Sequence, residues 1–399
     1  MTTLNRVLRG LIKAAPHGAK AALIDSVIRN IPPVPSQPQK RRVDDLLNNL
    51  PVIAIRAQGG LGDHIVTARF IRDLFAVVGP FEFDLYTSRL EASEWLYAAF
   101  PQIRRMYSDH LMWHDYYREY PIALDVIQYV HVPHADWLLA MERNPKLARV
   151  IENVDKYRWR IQPCIDHHPN LDAHLGRIAV FHNRSRRDYL QYIAKVKYGG
   201  DAYELPSSFE ALARHGIEPK KYVTVHNGFE VDSDFARVSS TKVYPHFDAI
   251  VAKIKCEFPE LKIVQVGSST SRPIRGVDYN LISRTTMPEV AGLLKHSVFH
   301  VDNESGLVHI ARCYETPGCV IFGPTDVDYF GYPDNVNIRP EFCGNCWWHA
   351  RDWMSTCVRG FLEPRCLTTQ APDDIFQAFA PALRAATLSS TSALQASSQ

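Results

Sequence analysis

The chain has 399 residues, of which 46% are hydrophobic and 22% charged, a composition typical of a soluble globular protein with about two or three domains. Its 45 basic and 43 acidic residues give a net charge of +2, so overall charge does not favour a nucleic-acid partner. Since no apolar run is long enough for a membrane span and the N-terminus lacks the apolar region of a secretion signal, we expect a cytoplasmic protein.

The N-terminal segment, residues 1–49, is predicted to be a helical extension with a linker. Residues 4–13 place their aliphatic side chains on one helical face and their basic side chains elsewhere, the pattern of a basic amphipathic helix. Docking on this protein or on another subunit is favoured over lipid, since so short a helix binds membranes weakly, and we expect at most peripheral membrane contact. A proline-rich basic linker follows at residues 31–42.

A buried strand, a glycine turn and a helix follow one another from Val52. The turn contains Gly60 and Gly62, and Asp63 comes at the start of the helix. This order is the opening unit of a doubly wound domain, and it places Asp63 at the edge of the sheet where ligands bind, although a plain helix N-cap is the alternative. The sequence GGLGD matches neither the dinucleotide fingerprint nor the P-loop.

The rest of the first half continues this alternation. Strands are predicted at 81–86, 122–126 and 177–181, with helices at 91–100 and 135–141. We expect one α/β domain over residues 50–205.

A second alternation of strands and helices predicts another α/β domain over residues 206–340. One strand ends just before Asn227, Lys242 precedes the next helix, a strand ends at Gly267, and Thr285 lies on the approach to a further helix. Two such domains imply a cleft, with Asp63 on one side and Lys242 on the other.

The stretch from His300 to Tyr332 predicts a strand, an anion-binding helix start and a second strand in succession. Ser305, Gly306 and Leu307 open this helix, where free N–H groups and the helix dipole favour a phosphate. An ordinary capped helix explains the same residues.

Four of the eight cysteines lie between residues 341 and 370. The spacing is C-x2-C, then ten residues, Cys, eight residues and Cys, and four thiolates suit a structural zinc or iron ion better than disulfides. Free thiols are the alternative. The predicted ligands are Cys343, Cys346, Cys357 and Cys366. A helix at 371–387 and a disordered tail at 388–399 complete the prediction.

Four motifs carry a family resemblance over about residues 50–385: GGLGDHIVTARFIRDL, HNGFE with STKVYP, IVQVGS, and DNESGLVHIA with VIFGPT. Their order resembles the family-9 glycosyltransferases, bacterial heptosyltransferases of GT-B fold. The segment from FGPT to the cysteines is most similar to the branch that transfers heptose to autotransporter adhesins. One departure is Glu304 in place of the usual aspartate before Ser305-Gly306, which leaves the roles of Asp302 and Glu304 open.

The resemblance implies two Rossmann-like domains facing a cleft, and transfer of heptose from ADP-heptose, with inversion, to an acceptor hydroxyl. Asp63 then matches the general base, Lys242 the lysine that neutralises the diphosphate, and His309 a family histidine. No catalytic divalent metal is expected, and iron is implied for the cysteine site. The donor-binding residues are predicted to be Gly60, Gly62, Asn227, Lys242, Gly267, Thr285, Glu304, Ser305, Gly306, Leu307 and His309.

The acceptor implied by the resemblance is a serine of an autotransporter-type protein, with a lipopolysaccharide-core heptosyltransferase as the alternative. A homo-oligomer is left open. A non-catalytic GT-B scaffold that acts as a binding module is the rival from another functional class. The presence of Asp63, Lys242 and Ser305 together argues against the scaffold, which would not need all three.

Overall fold

The computed structural model describes residues 53–112, 120–229 and 240–397, of which 391–397 are described as backbone only. The predicted N-terminal helix and linker lie outside the described residues. In the described part of the chain, no helix is both long enough and apolar enough to cross a membrane.

The first sheet is organised around β1 (Ile53–Ala57), which pairs in parallel with β2 (Phe83–Thr87) and β4 (Ile122–Val126). β3 (Ile103–Ser108) pairs in parallel with β2, and β5 (Val130–Ala135) pairs antiparallel with β4, so the order is β3-β2-β1-β4-β5. The central strands are buried almost throughout, as expected for parallel strands covered on both faces by helices.

The helices of this half include one segment that was predicted as a strand. Residues 177–181 are an arginine followed by an apolar run with β-branched members, but they form the second half of a helix that buries Ala173, Gly176 and Ala179 three residues apart. The strand prediction is therefore wrong. The helices are α1 (Leu61–Val78), α2 (Leu90–Leu96), α3 (Trp137–Arg143), α4 (Pro145–Asp166), α5 (Asp172–Phe181) and α6 (Tyr189–Ala194).

The second sheet is parallel throughout and confirms the predicted doubly wound arrangement. Its order is β11-β10-β9-β6-β7-β8. The strands are β6 (Tyr222–His226), β7 (Lys262–Gln265), β8 (Tyr279–Asn280), β9 (Phe299–Asn303), β10 (Gly318–Ile321) and β11 (Val336–Ile338). The helices are α7 (Glu210–His215), α8 (Phe247–Glu257), α9 (Met287–His296), α10 (Gly306–Cys313), α11 (Val327–Phe330) and α12 (Arg365–Thr368).

The last helix, α13 (Pro372–Ser397), extends through most of the predicted disordered tail. The hydroxyls of Thr387, Ser389 and Ser390 donate to backbone carbonyls four residues earlier, at 2.9, 3.0 and 2.9 Å. Such bonds let serine and threonine remain within a helix. The predicted helix end at 387 is thus wrong.

The two sheets belong to one compact unit that begins at Leu50, and two helix starts cross between them. A Cβ on Gly306, the first residue of α10, would lie 2.9 Å from Cβ of Leu61, the first residue of α1. A Cβ on Gly62 would lie 2.5 Å from Cδ2 of His309. Both positions require glycine because the two helices approach so closely.

Candidate functional site between the two sheets

A cavity of 480 Å³ lies where the glycine turn after β1 faces the start of α10. Ligands in α/β proteins usually occupy this position beyond the carboxyl ends of the strands. The lining includes eight of the predicted site residues: Gly60, Gly62, Asp63, Lys242, Glu304, Ser305, Gly306 and His309.

Four other predicted donor-binding residues do not line this cavity. The amide of Asn227 is occupied by the carbonyl of Arg272 at 2.9 Å and by Gln265 at 3.1 Å. Gly267 has a φ of +152°, and a Cβ there would lie 2.1 Å from Oγ of Ser271. The remaining two are Thr285, which precedes the N-cap residue of α9, and Leu307, whose N–H binds the Ser305 hydroxyl.

Asp63 closes the glycine turn at the start of α1. Its Oδ2 accepts from the N–H of Gly60 at 2.9 Å, which satisfies a backbone donor at the helix start. Gly59 adopts a φ of +95°, and a Cβ there would lie 2.4 Å from the same oxygen. The glycines of this turn thus make room for the carboxylate.

Arg186 and Gln128 hold the other oxygen of Asp63. Arg186 donates to Oδ1 from Nε at 3.1 Å and from Nη2 at 2.9 Å, and Gln128 Nε2 donates to it at 3.0 Å. Burial alone would raise the pKa of Asp63, but the charge and hydrogen bonds of Arg186 hold that pKa below its usual value. Asp63 is therefore an ionised carboxylate at neutral pH.

Sequence reasoning did not identify Arg186. It lies between α5 and α6, its side chain is 1% exposed, and its Nη2 also donates to the carbonyl of Ile127 at 2.7 Å. An arginine after a helix gives no local sign that it will pair with an aspartate on another element.

Lys242 faces the cavity from the second half and pairs with Glu304. The Lys242 ammonium lies 2.6 Å from a carboxylate oxygen of Glu304, and the two side chains are 17% and 12% exposed. The lysine charge is thus partly balanced by an acidic neighbour before any anion binds.

Asp302 and Glu304 have different surroundings, which separates their structural roles. Asp302 contacts His226 at 2.7 Å, His300 at 3.1 Å and the Ser305 hydroxyl at 2.6 Å, away from the cavity. Burial raises the pKa of Asp302, but His226 and His300 outweigh it, so the pKa is lowered overall. Glu304 instead lines the cavity.

At the start of α10, a ligand in the cavity would meet backbone N–H groups rather than a free serine hydroxyl. Ser305 Oγ accepts from the N–H of Leu307 at 3.1 Å while it donates to Asp302. This hydroxyl is the helix N-cap, so an anion in the cavity would meet the N–H of Gly306 and the positive end of the helix dipole.

The sequence also did not predict a histidine–aspartate pair that lies in the cavity. His168 Nδ1 lies 3.0 Å from Oδ1 of Asp172, and both residues line the cavity. Burial raises the pKa of Asp172, although the hydrogen bond from His168 opposes the rise. The pair comes from the turn before α5 and the first residue of that helix, which carry no recognisable motif.

The four cysteines predicted as metal ligands form no disulfide, and their side chains influence one another. Burial, together with the thiols of Cys343, Cys346 and Cys357, raises the pKa of Cys366. Four neighbouring thiols are a suitable donor set for iron or zinc. However, the described residues contain no group of three or more His, Cys, Asp or Glu arranged to hold a metal ion. The metal site remains a prediction.

The loop that carries these cysteines reaches the cavity through its tryptophans. Trp347, Trp348 and Trp353 all belong to the lining. Trp347 is 2% exposed and stacks on Tyr329 with a centroid distance of 5.8 Å. The cysteine loop therefore forms one wall of the site.

Comparisons with known proteins agree with this arrangement. Residues 241–358 match the sequence profile of glycosyltransferase family 9 (heptosyltransferase). This span contains Lys242, the start of α10 and three of the four clustered cysteines. The comparison with curated proteins gives no match.

Three solved structures share the fold. The dodecameric iron-containing heptosyltransferase TibC of enterotoxigenic E. coli, in complex with ADP-D-β-D-heptose, is 14% identical over 85% of this chain and 77% of its own, with a TM-score of 0.51. A family-9 glycosyl transferase from Veillonella parvula is 13% identical over 84% and 97%, with a TM-score of 0.52.

The third structure is the E. coli ADP-heptose lipopolysaccharide heptosyltransferase II. It is 13% identical over 85% of this chain and 99% of its own, with a TM-score of 0.50. Residues 241–358 therefore match glycosyltransferase family 9 (heptosyltransferase), and the chain shares the fold of these heptosyltransferases, which confirms the predicted resemblance and the prediction of a glycosyltransferase.

Proposed function

We propose that the cavity binds ADP-heptose and that the protein transfers heptose, with inversion, to an acceptor hydroxyl. The observation that carries this proposal is that Asp63, Lys242 and the start of α10 line one cavity although they lie far apart in the sequence. The family-9 match and the ADP-heptose complex of TibC support the choice of donor.

Lys242 and α10 are assigned to the leaving group. As the bond between the sugar anomeric carbon and the diphosphate breaks, the departing ADP gains negative charge. The Lys242 ammonium, the N–H of Gly306 and the helix dipole stabilise that charge. Lys242 pairs with Glu304 in the free protein, and its ammonium has three donors, so it can turn another N–H toward the diphosphate.

Asp63 is assigned to the acceptor side as general base. The acceptor oxygen attacks the anomeric carbon from the face opposite the diphosphate, and its proton passes to Asp63 as the new bond forms. The lowered pKa keeps Asp63 ionised and ready to accept. Arg186 and Gln128 occupy Oδ1, so Oδ2 is the oxygen assigned to the proton.

For the acceptor we propose a serine of an autotransporter-type protein. The iron-containing TibC among the structural neighbours and the cysteine cluster of this chain support this choice. A lipopolysaccharide-core acceptor is the second candidate, and the similarity to heptosyltransferase II supports it.

We also propose that Cys343, Cys346, Cys357 and Cys366 hold one structural iron or zinc ion. Three of the thiols lie on the loop before α12 and the fourth, Cys366, lies in α12, so a metal held by all four would fasten that loop to the helix. No step of the sugar transfer is assigned to the metal.

The test of the catalytic assignment is ADP release during incubation with ADP-heptose and a candidate acceptor. Asp63→Asn is expected to lower the transfer rate by about 100-fold or more, while ADP binding stays close to that of the wild type. Asp109→Asn is the matched control, because Asp109 is another carboxylate of the same cavity. An Asp63→Asn protein that transfers heptose at the wild-type rate would remove Asp63 as the base.

A further inference from the structure

Three buried side chains behind the cavity form a continuous hydrogen-bonded series. Nη1 of Arg69 in α1 donates to the hydroxyl of Tyr332 at 2.8 Å, and that hydroxyl lies 2.7 Å from Nδ1 of His309 in α10. Arg69 and Tyr332 are 0% exposed and His309 is 6% exposed. Solvent therefore contributes little to these contacts.

The direction of each hydrogen bond follows from the chemistry of the groups. A guanidinium only donates, so the Tyr332 oxygen accepts from Arg69. The Tyr332 hydroxyl has no third partner among the described residues, so its single proton must go to Nδ1 of His309. The reverse direction would leave a buried hydroxyl proton unpaired, at a cost of about 1–3 kcal/mol.

Contacts with neighbouring groups hold the Arg69 guanidinium in place, so that it donates the first hydrogen bond of the series. Its guanidinium lies 3.5 Å from a carboxylate oxygen of Asp201, and its Nη2 lies 3.4 Å from the carbonyl of His309 and 3.4 Å from Sγ of Cys313. These contacts hold the guanidinium against α10, where it keeps a proton pointed at Tyr332.

The His309 ring is neutral and therefore carries only one proton. Burial lowers the pKa of His309 to about 3, and the charge of Arg69 acts in the same direction. A neutral imidazole whose Nδ1 accepts a hydrogen bond carries its proton on Nε2.

The Nε2 edge of the His309 ring lies beside Gly62, and both residues line the cavity. It packs against Gly62, where an added Cβ would lie 2.8 Å from Nε2. Nε2 has no hydrogen-bond partner among the described residues, and His309 belongs to the cavity lining. Its proton is therefore available to a ligand.

We propose that Arg69 and Tyr332 are positioning residues that hold His309 as a neutral imidazole with its proton on Nε2, a fixed hydrogen-bond donor to an oxygen of the bound nucleotide sugar. This rests on the proposed function only for the identity of the ligand. His309 then stabilises charge that develops in the transition state, and it does not act as a base, because Nε2 already carries a proton.

The decisive test is the tautomer of His309, measured by two-bond ¹H–¹⁵N correlation on the full chain with ¹⁵N-labelled histidine, and assigned by the signal lost in His309→Gln. We expect a protonated Nε2 and an unprotonated Nδ1 at neutral pH. A protonated Nδ1 in the wild type would overturn the proposal whatever the activity. If the tautomer is as expected but ADP does not bind, the proposed function fails and the tautomer assignment stands.

Two substitutions link the tautomer to transfer. Tyr332→Phe removes the donor to Nδ1, so we expect a mixture of tautomers and a kcat about 10- to 100-fold lower, with a smaller change in KM. His309→Gln is expected to retain more activity than His309→Asn, because the longer amide places an N–H closer to the position of Nε2. Equal activity of these two variants, or an unchanged tautomer in Tyr332→Phe, would contradict the role of the series.

Discussion

At the residue scale, the central feature is the carboxylate of Asp63, whose two oxygens accept different numbers of hydrogen bonds. Three hydrogen bonds converge on Oδ1 of Asp63, from Arg186 and Gln128, and one from Gly60 reaches Oδ2. This leaves Oδ2 with the greater capacity to accept a proton. It also means that loss of the Asp63 charge leaves the buried Arg186 guanidinium without its counter-ion, which destabilises the fold. Asp63→Asn and Asp63→Ala both lose this charge, but the Asn amide keeps an oxygen that can accept from Arg186 and Gln128, so Asp63→Asn tests the base with less structural disturbance.

Two buried histidines predict that the free energy of unfolding falls in acid. Burial lowers the pKa of His64 to about 4 and that of His309 to about 3. The unfolded chain takes up both protons below about pH 6.5, while the folded protein does not. The contribution of the two neutral histidines to the free energy of unfolding is therefore fully present above pH 6.5. It is lost as the pH falls toward 4 and then 3, with a slope of at most about 1.4 kcal/mol per pH unit for each histidine.

Urea unfolding at several pH values between about 7.5 and about 5 measures this dependence. His309→Asn is the matched variant, and its slope should be shallower than that of the wild type because one of the two groups is gone. A free energy of unfolding that is flat across this range would contradict the buried neutral histidines.

The ion pair of Lys242 and Glu304 predicts how ADP affinity responds to charge. Glu304→Gln removes the counter-charge at 2.6 Å, so ADP should bind about 3- to 10-fold more tightly at low salt, with a smaller gain at high salt. Isothermal titration with ADP at both ionic strengths measures this effect. The double variant with Lys242→Met should show no gain over Lys242→Met alone. A weaker affinity of Glu304→Gln would mean that the carboxylate itself contacts the ligand.

At the scale of elements, the crossing of α1 and α10 brings the two halves of the site together. Gly62→Ala places a Cβ 2.5 Å from Cδ2 of His309, so the ring must move or the helices must separate. We expect a loss of about 1–3 kcal/mol in the free energy of unfolding, together with weaker ADP binding.

A double-mutant cycle with His309→Ala tests this crossing. Removal of the ring opens the space that the new methyl group needs, so Gly62→Ala should cost much less stability in the His309→Ala background. Equal costs in the two backgrounds, measured by chemical unfolding, would show that the contact does not set the helix spacing.

Part of this architecture could be predicted from the sequence because its signals are local. The apolar run of β1, the glycines after it and the position of Asp63 were predicted from consecutive residues, as were β4 and the start of α10. The errors came where local patterns are ambiguous. The apolar residues 178–181 suit a strand or a helix, and the serines after 387 favour disorder unless their hydroxyls bond to the helix carbonyls.

The remainder of the site depends on contacts distant in sequence. Arg186 pairs with Asp63 across 123 positions, and Arg69 meets Tyr332 across 263. Arg186 belongs to no motif, and the motif that contains Arg69 does not indicate its partner, so only the folded chain shows these contacts. The cysteine spacing predicted a cluster, and the neighbouring thiols do raise the pKa of Cys366. The metal itself stays a prediction.

At the scale of the whole molecule, the cysteine loop connects metal content with the shape of the cavity. Protein purified without a metal-binding tag is expected to hold close to one equivalent of iron or zinc per chain by elemental analysis. Removal by a chelator should lower the thermal midpoint and weaken ADP binding, because Trp347 and its neighbours line the cavity. Cys256→Ser is the control, since Cys256 is an exposed thiol outside the cluster. Less than about a tenth of an equivalent would contradict the metal proposal.

The most direct test of the account is calorimetric titration of the purified protein with ADP, in the wild type and in Lys242→Met. We expect one ADP bound per chain and an affinity about 10- to 100-fold lower in Lys242→Met, since a charged partner of the diphosphate is lost. If ADP does not bind to the wild type, or if it binds Lys242→Met with the same affinity, then the cavity between the sheets is not the nucleotide-sugar site.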